Sequence, residues 1–117
     1  MPSSRPLGAL QDINIRNNIE LARTFVAGLS FANFQADRKT VYAVIRCFEF
    51  ISEASRRLPS ELKERHPEIV WSDIAGAGSV YRHGYQHVRD DVLWRTVQES
   101  LEPLRVAVEA ELNRLRT

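Results

Sequence analysis

Apolar residues recur every three or four positions along most of the chain, a spacing typical of amphipathic helices. After a flexible lead (residues 1–7), a first helix is predicted to end at Gly28, since glycine favours a helix end. Its positions at this spacing are Leu10, Ile13, Asn17, Leu21 and Phe25, with Ile15, Ile19 and Val26 beside them. Ser30 is placed to cap a short helical turn through Phe31 and Phe34.

A longer helix is predicted from Asp37 to Leu58, because Pro59 disfavours helical geometry at the residue before it. Its apolar side consists of Val41, Val44, Ile45, Phe48, Ile51, Ala54 and Ser55. A polar stripe beside it consists of Arg46, Glu49, Glu53 and Arg56. The stripe fits a solvated face with ion pairs between successive turns, or a face turned towards a partner or a site.

The second half of the chain begins with a connector, residues 59–72, in which a short helical turn is predicted and His66 is expected at the surface. Further helices are predicted from Trp71 towards Tyr81 and from Asp90 or Asp91. A last helix would start near Ser100 and Pro103 and bury Leu104, Val108, Leu112 and Leu115. No stretch alternates with period two. The prediction is therefore an all-α domain, with four main helices and one or two short ones, spanning residues 1–117.

Charge and composition exclude several classes of protein. The 117 residues include 16 Lys and Arg against 15 Asp and Glu, so the formal net charge is +1 and bulk attraction to nucleic acid is excluded. The single cysteine, Cys47, excludes an intramolecular disulfide and is expected to be a small buried hydrophobe. With no membrane-length apolar run and no signal-peptide pattern, the expected location is cytoplasmic.

Chemistry-bearing side chains concentrate in residues 81–91, which hold two His, two Arg, two Tyr and two Asp. On a helix, His83 and His87 would share a face and could bind a metal ion with Asp91 as a third ligand. Alternatively, the imidazoles are hydrogen-bonded at an interface. A third interpretation is RNA cleavage, in which a His moves the proton of the 2′-hydroxyl and an Arg stabilises the phosphorane.

A series of short motifs, in order and with constant spacing, carries a family resemblance. They are Val44-Ile45-Arg46, Phe48-Glu49, Ile51-Ser52-Glu53-Ala54, Arg57-Leu58-Pro59, Pro67-Glu68-Ile69, Trp71, Ile74-Ala75-Gly76, His83-Gly84-Tyr85 and Val92-Leu93-Trp94. Together they cover nearly the whole chain, which resembles the HepT-like branch of the HEPN superfamily. In this family a small residue, usually Gly, follows the position of Ile51, whereas this chain has Ser52.

The resemblance implies an up-and-down helical bundle that forms a homodimer. It implies a toxin of a toxin–antitoxin pair, with an MNT-type nucleotidyltransferase as the antitoxin partner. The implied substrate is RNA, cleaved in the dimer cleft without a metal ion and without a cofactor. By position, His83 is the catalytic histidine, and Tyr85 is the tyrosine that the partner modifies with AMP or a residue that lines the cleft.

One position departs from the family signature. The signature Arg stands five residues before the His, and this chain has Gly78 there. Arg82 does not simply replace it, because adjacent residues lie about 100° apart around a helix. Arg46, Glu49 and Arg82 are candidate auxiliary residues. Two hypotheses follow: an RNA endonuclease with weak or absent activity, or a non-catalytic helical dimer that binds a nucleotidyltransferase.

Overall fold

On each side of residues 76–89, the helices follow one another with short connections. In a computed structural model of the chain, the described residues are 4–75 and 90–116, with side chains for 8–75 and 90–115. The helices are α1 (Ser4–Val26), α2 (Phe31–Ala36), α3 (Arg38–Arg56), α4 (Ser60–Glu64), α5 (residues 71–75), α6 (Asp90–Arg95) and α7 (Leu101–Arg116), with a π-helical turn at Thr96–Ser100 between α6 and α7. Every element among these residues is helical, which confirms the all-α prediction.

The ends of α1, α2 and α3 lie where local sequence signals predict them. Gly28 has a φ of 77° after the last turn of α1, a conformation that glycine adopts without steric cost. The Ser30 hydroxyl accepts a hydrogen bond from the Asn33 N–H at 3.1 Å and caps α2. Asp37 caps α3 by accepting from the Thr40 N–H at 3.2 Å. These caps fix the α2–α3 corner.

The buried side of α1 is not the row of Leu10, Leu21 and Phe25 on which the helix was predicted. Its fully or nearly fully buried apolar residues are Ile15, Ile19, Ala22 and Val26. Leu10, Leu21 and Phe25 are 53%, 46% and 38% exposed. This helix has two apolar rows of side chains. The row that contains the small Ala22 is the one that faces α3 and α7. The helix also begins at Ser4, inside the lead predicted for residues 1–7.

An aromatic cluster joins α2 to α6 over the start of α3. Phe34 is fully buried, and its ring centroid lies 5.3 Å from that of Trp94. Phe31 also packs against Trp94, with ring centroids 6.1 Å apart. Leu93, on the same turn of α6, is also fully buried. Aromatic rings at these separations attract beyond simple burial, so the cluster holds α6 against α2 and α3.

The C-terminal helix runs from residue 90 to 116 without a break, although a new helix was predicted to start near Ser100 and Pro103. Pro103 lies inside the helical run, and it lacks the N–H that would bond to the Glu99 carbonyl. The π-helical turn at Thr96–Ser100 lies directly before this proline, and it accommodates the missing bond by widening the helix. Leu104, Val108 and Leu112 are buried as predicted, whereas Leu115 is 39% exposed near the helix end.

Candidate functional site

The residues of the family signature lie outside the described part of the chain. These are Gly78, Arg82, His83 and Tyr85, together with the second histidine, His87. The described residues on either side of them, Ala75 and Asp90, show where the two ends of this stretch are attached. The described residues closest to the signature in the chain are therefore its two flanks, and both flanks contact α3.

Both flanks are attached to α3. The Ser52 hydroxyl donates a hydrogen bond to the Ala75 carbonyl at 2.8 Å. The Arg38 guanidinium pairs with the Asp90 carboxylate at 2.7 Å. Ser52 and Arg38 are separated by about 21 Å along the helix axis, given a rise of 1.5 Å per residue. Ser52 is only 1% exposed, so its hydroxyl gives this buried position a bond that glycine could not make.

The polar stripe of α3 divides into two halves. In the C-terminal half, Glu53 binds Arg56 at 2.7 Å and Arg57 at 2.8 Å, which confirms ion pairing between successive turns. In the N-terminal half, the nearest Arg46–Glu49 atoms are 3.7 Å apart and the Arg46 side chain is 64% exposed. Its guanidinium lies 4.3 Å from the centre of the exposed Phe50 ring. Arg46 therefore remains available to a ligand.

A buried polar cluster lies where the connector after α4 meets α7. Arg65 binds the Glu111 carboxylate through two nitrogens, at 3.1 and 2.5 Å, and His66 Nε2 lies 2.6 Å from Glu111 Oε2. Burial would raise the pKa of Glu111, but the hydrogen bonds from Arg65 and His66 outweigh it and lower that pKa. Glu111 is thus held as a carboxylate, and the Nε2 of His66 donates to it.

The prediction that His66 lies at the surface is wrong. Its side chain is only 13% exposed, because the connector packs against α7 and brings His66 into contact with Glu111. The Trp71 indole N–H fixes this fold by donating to the carbonyls of Lys63 and His66, both at 3.2 Å. The proline after His66 signals a turn, but the partner that buries the imidazole is 45 residues away. The residues near His66 in the sequence therefore do not predict this contact.

Asp12 is the second carboxylate of this cluster. It is 1% exposed, and its Oδ1 has no hydrogen-bond partner. Burial and the charge of Glu111 raise the pKa of Asp12 to about 7, although Arg65 opposes them. Two carboxyl groups whose pKa values are shifted in opposite directions therefore share one environment. We call Asp12, Arg65, His66 and Glu111 the α1–α7 polar cluster.

Other features of the described residues offer little chemistry. No three carboxylate, histidine or cysteine side chains in residues 8–75 and 90–115 are arranged to hold a metal ion. Cys47 is buried as predicted, and burial raises the pKa of its thiol to about 11. A cavity of about 430 Å³ opens beside Gly28 and Trp94, but Arg23 is its single ionisable lining residue. That guanidinium is already paired with Glu102 at 2.8 Å.

Comparison with known proteins places the chain. The model of the family described as "Ribonuclease HepT-like" matches residues 15–111, which is most of the sequence. The chain belongs to the HepT-like family. It is 40% identical over 92 residues to a protein of Thermococcus cleftensis named "Probable ribonuclease HepT", covering 79% of this chain and 84% of the relative. It is 33% identical over 89 residues to "Putative RNase TTE0752" of Caldanaerobacter subterraneus subsp. tengcongensis, covering 76% and 80%.

No solved structure matches this HepT-like chain. In the part of the chain that the structure describes, no helix is long and apolar enough to cross a bilayer. The family match takes in the positions of Gly78, His83 and Tyr85, and it also covers Arg46 and Glu49 on α3. Of the candidate residues, Arg46 and Glu49 are the pair that the described structure brings near each other.

The α1–α7 polar cluster was missed by the sequence analysis, although a signal for it exists. Asp12 lies three residues before Ile15 and continues the buried row of α1 by one further helical turn. Glu111 likewise lies three residues after the buried Val108 on α7. A carboxylate at a position where the helical period requires an apolar side chain predicts a buried, paired charge.

Proposed function

We propose that this HepT-like chain is the toxin component of a HEPN/MNT toxin–antitoxin pair, and that it cleaves RNA without a metal ion. The observation that carries the proposal is the family match, which takes in the run His83-Gly84-Tyr85. The relatives' names, which describe ribonucleases, support RNA as the substrate class. The proposal includes a homodimer in the cytoplasm and an MNT-type nucleotidyltransferase as antitoxin.

His83 is the proposed catalytic residue. It would take the proton from a ribose 2′-hydroxyl, and the 2′-oxygen would then attack the phosphorus. The bond from phosphorus to the 5′-oxygen breaks, and the imidazolium returns the proton to that oxygen as it leaves. An imidazole suits this step because it exchanges a proton near neutral pH. The negative charge that develops on the phosphorane needs a cation, which Gly78 cannot supply. Arg46, with Glu49 beside it, and Arg82 are the proposed auxiliary residues.

Tyr85 is the proposed point of control by the partner. A nucleotidyltransferase that attaches AMP to the Tyr85 hydroxyl would add a bulky group and a negative charge two residues from His83. That charge would repel the phosphates of RNA, so the modification would neutralise the toxin. Without modification, Tyr85 would line the cleft and offer a hydrogen bond.

The proposed activity is tested by incubating RNA with the purified chain in EDTA. We expect cleavage by the wild-type chain and a loss of about 100-fold in rate in His83→Ala, a typical contribution of proton transfer. His87→Ala is the matched control, since it removes the other imidazole of the same stretch, and it should retain the rate. Equal rates for the wild-type chain and His83→Ala would contradict the role of His83. Loss of cleavage in EDTA would contradict metal independence.

Gly78 favours a second candidate function, a non-catalytic helical dimer that binds a nucleotidyltransferase. The position lacks the cation that the family signature supplies. If the chain is a weakened nuclease, Gly78→Arg should raise the rate of RNA cleavage by about 10-fold or more, as expected when a charge-stabilising group is restored. Gly78→Ala is the control for the change of backbone freedom. An unchanged rate in Gly78→Arg would favour the binding protein.

A further inference from the structure

Two aromatic and two cationic side chains alternate along the exposed side of α3. They are Arg38, Tyr42, Arg46 and Phe50, which we call the α3 face. Their four-residue spacing places successive members about 6 Å apart along the helix and about 40° apart around it, so the row curves around the exposed side of α3. Tyr42 is 51% exposed and Phe50 is 45% exposed, while the opposite side of α3 is buried in the core.

Each ring of the α3 face is accompanied by a guanidinium. Arg46 lies 4.3 Å from the centre of the Phe50 ring, and Arg38 lies 5.9 Å from the centre of the Tyr42 ring. These cation–π contacts hold the two cations at the level of the rings. Proteins that bind single-stranded nucleic acids use the same two elements, namely aromatic rings on which bases stack and cations that contact the phosphates.

The charge along α3 favours its N-terminal half as the place for an anionic strand. Arg38, Lys39 and Arg46 are exposed there, and Glu49 is the one carboxylate of α3 in this stretch; its side chain is 20% exposed. Asp90 approaches from α6 and pairs with Arg38. In the C-terminal half of α3, Arg56 and Arg57 are both occupied by Glu53.

The position of the α3 face connects it with the proposed catalytic residue. Of the two described residues that flank the stretch containing His83, Ala75 is bonded to Ser52 and Asp90 is paired with Arg38. The α3 face, from residue 38 to residue 50, lies within the length of helix between these two attachments. An RNA strand bound along it would therefore lie on the same helix that holds both ends of the stretch containing His83.

We propose that the α3 face binds single-stranded RNA, with bases stacked on Tyr42 and Phe50 and a phosphate contacted by Arg46, while Arg38 stays paired with Asp90 beside the Tyr42 ring. This inference rests on the proposed function, and it assigns the binding of substrate to residues outside the family signature. The contacts are independent of sequence, since every base has a face that can stack. Other exposed apolar residues, such as Leu21 and Val106, have no aromatic ring on which a base could stack.

The test is the affinity of the full chain for a single-stranded 2′-O-methyl RNA, which lacks the hydroxyl that cleavage requires, measured by fluorescence anisotropy in EDTA. We expect the double variant Tyr42→Ala/Phe50→Ala to bind about 10 to 100 times more weakly, from the usual worth of a stacked base. Tyr42→Phe/Phe50→Tyr keeps both rings and should restore binding. Leu21→Ala/Val106→Ala removes equally exposed apolar side chains on α1 and α7 and should bind as the wild type does. Arg46→Ala should lower the slope of log K against log salt by about 0.7, the value for one lost phosphate contact.

Unchanged affinity in the double variant would overturn the inference. So would a loss of affinity that accompanies dissociation of a dimer in sedimentation velocity, because the α3 face would then be an interface between two copies. Cleavage of natural RNA by the wild-type chain is measured in parallel. If the wild-type chain cleaves RNA and the double variant binds normally, this inference alone is overturned. If the wild-type chain binds RNA without cleaving it, the proposed function alone is overturned. A wild-type chain that does not bind overturns the inference, and its cleavage assay then decides the proposed function.

Discussion

Glu111→Ala is expected to lower the free energy of unfolding by about 2–3 kcal/mol near pH 7, the usual worth of hydrogen bonds to a buried charged group, because the Arg65 side chain that it leaves behind is 36% exposed and keeps part of its hydration. Glu111 is 4% exposed and accepts from Arg65 and from His66. Without it, the Arg65 guanidinium and the His66 imidazole lose their hydrogen-bond acceptor on α7. The same bonds join the connector to α7, so their loss also loosens the connector.

The pH dependence of this variant follows from the pKa of Glu111. That pKa is lowered in the folded chain, so the carboxylate adds stability above its unfolded pKa, near 4.5. The contribution is lost as the pH falls through the lower, folded value. The wild-type chain and Glu111→Ala should therefore differ most at neutral pH and converge in strong acid.

Urea unfolding followed by circular dichroism measures the effect. Glu109→Ala is the matched control, because Glu109 lies on the same helix and its contact with Arg16 is a long, partly exposed one of 3.9 Å. Such a pair contributes at most about 1 kcal/mol. Equal midpoints for Glu111→Ala and Glu109→Ala would show that the buried pair does not hold the connector to α7.

The parts of the fold that sequence predicted well are those set by local chemistry. Ser30 and Asp37 cap helices three residues ahead of them, and Gly28 supplies the positive φ that ends α1. Each of these signals acts within a few residues, so it can be recognised without knowledge of the partner helix. The apolar side of α3 was predicted for the same reason, since a single row of side chains at helical spacing leaves no alternative.

Where the local sequence was compatible with two arrangements of a helix or a side chain, the contacts between distant elements determined which one forms. On α1 both the row of Leu21 and the row of Ile19 have helical spacing, and packing against α3 and α7 selected the second. Pro103 signalled a helix start, yet the helix accommodates it through a π-helical turn. His66 looked like a loop residue because its partner, Glu111, is distant in sequence. For the candidate site, the spacing predicted the neighbours Arg46 and Glu49, while the roles of His83 and Tyr85 stay predictions from the family resemblance.

Asp12→Asn is expected to stabilise the chain above pH 7, in contrast to most substitutions of a buried residue. The pKa of Asp12 is about 7 in the folded chain and 3.8 as an ordinary aspartate. Between these values the folded chain retains a proton that the unfolded chain has lost. Stability therefore falls as the pH rises from about 4 to 7, and the penalty is complete above that window.

The size of the penalty follows from the same pKa values. A tenfold change in acidity corresponds to about 1.4 kcal/mol, so the full penalty is of the order of 4 kcal/mol. The amide of asparagine is neutral at every pH and has nearly the same shape as the acid. Asp12→Asn should therefore match the wild-type chain near pH 4 and exceed its stability by about 2–4 kcal/mol near pH 8.

Unfolding by urea at a series of pH values from about 4 to 8 tests this expectation. The groups that face Asp12 are Glu111 on α7 and Arg65 on the connector, with His66 bound to the same Glu111. The matched control is Asp73→Asn, which makes the same chemical change at an exposed carboxylate and should leave the pH profile of the wild-type chain unaltered. Parallel profiles for Asp12→Asn and the wild-type chain would mean that Asp12 is already ionised near pH 4, with Arg65 outweighing both its burial and the charge of Glu111. A profile that flattens in Asp12→Asn alone would identify Asp12 as the residue that makes the chain less stable as the solution approaches neutral pH.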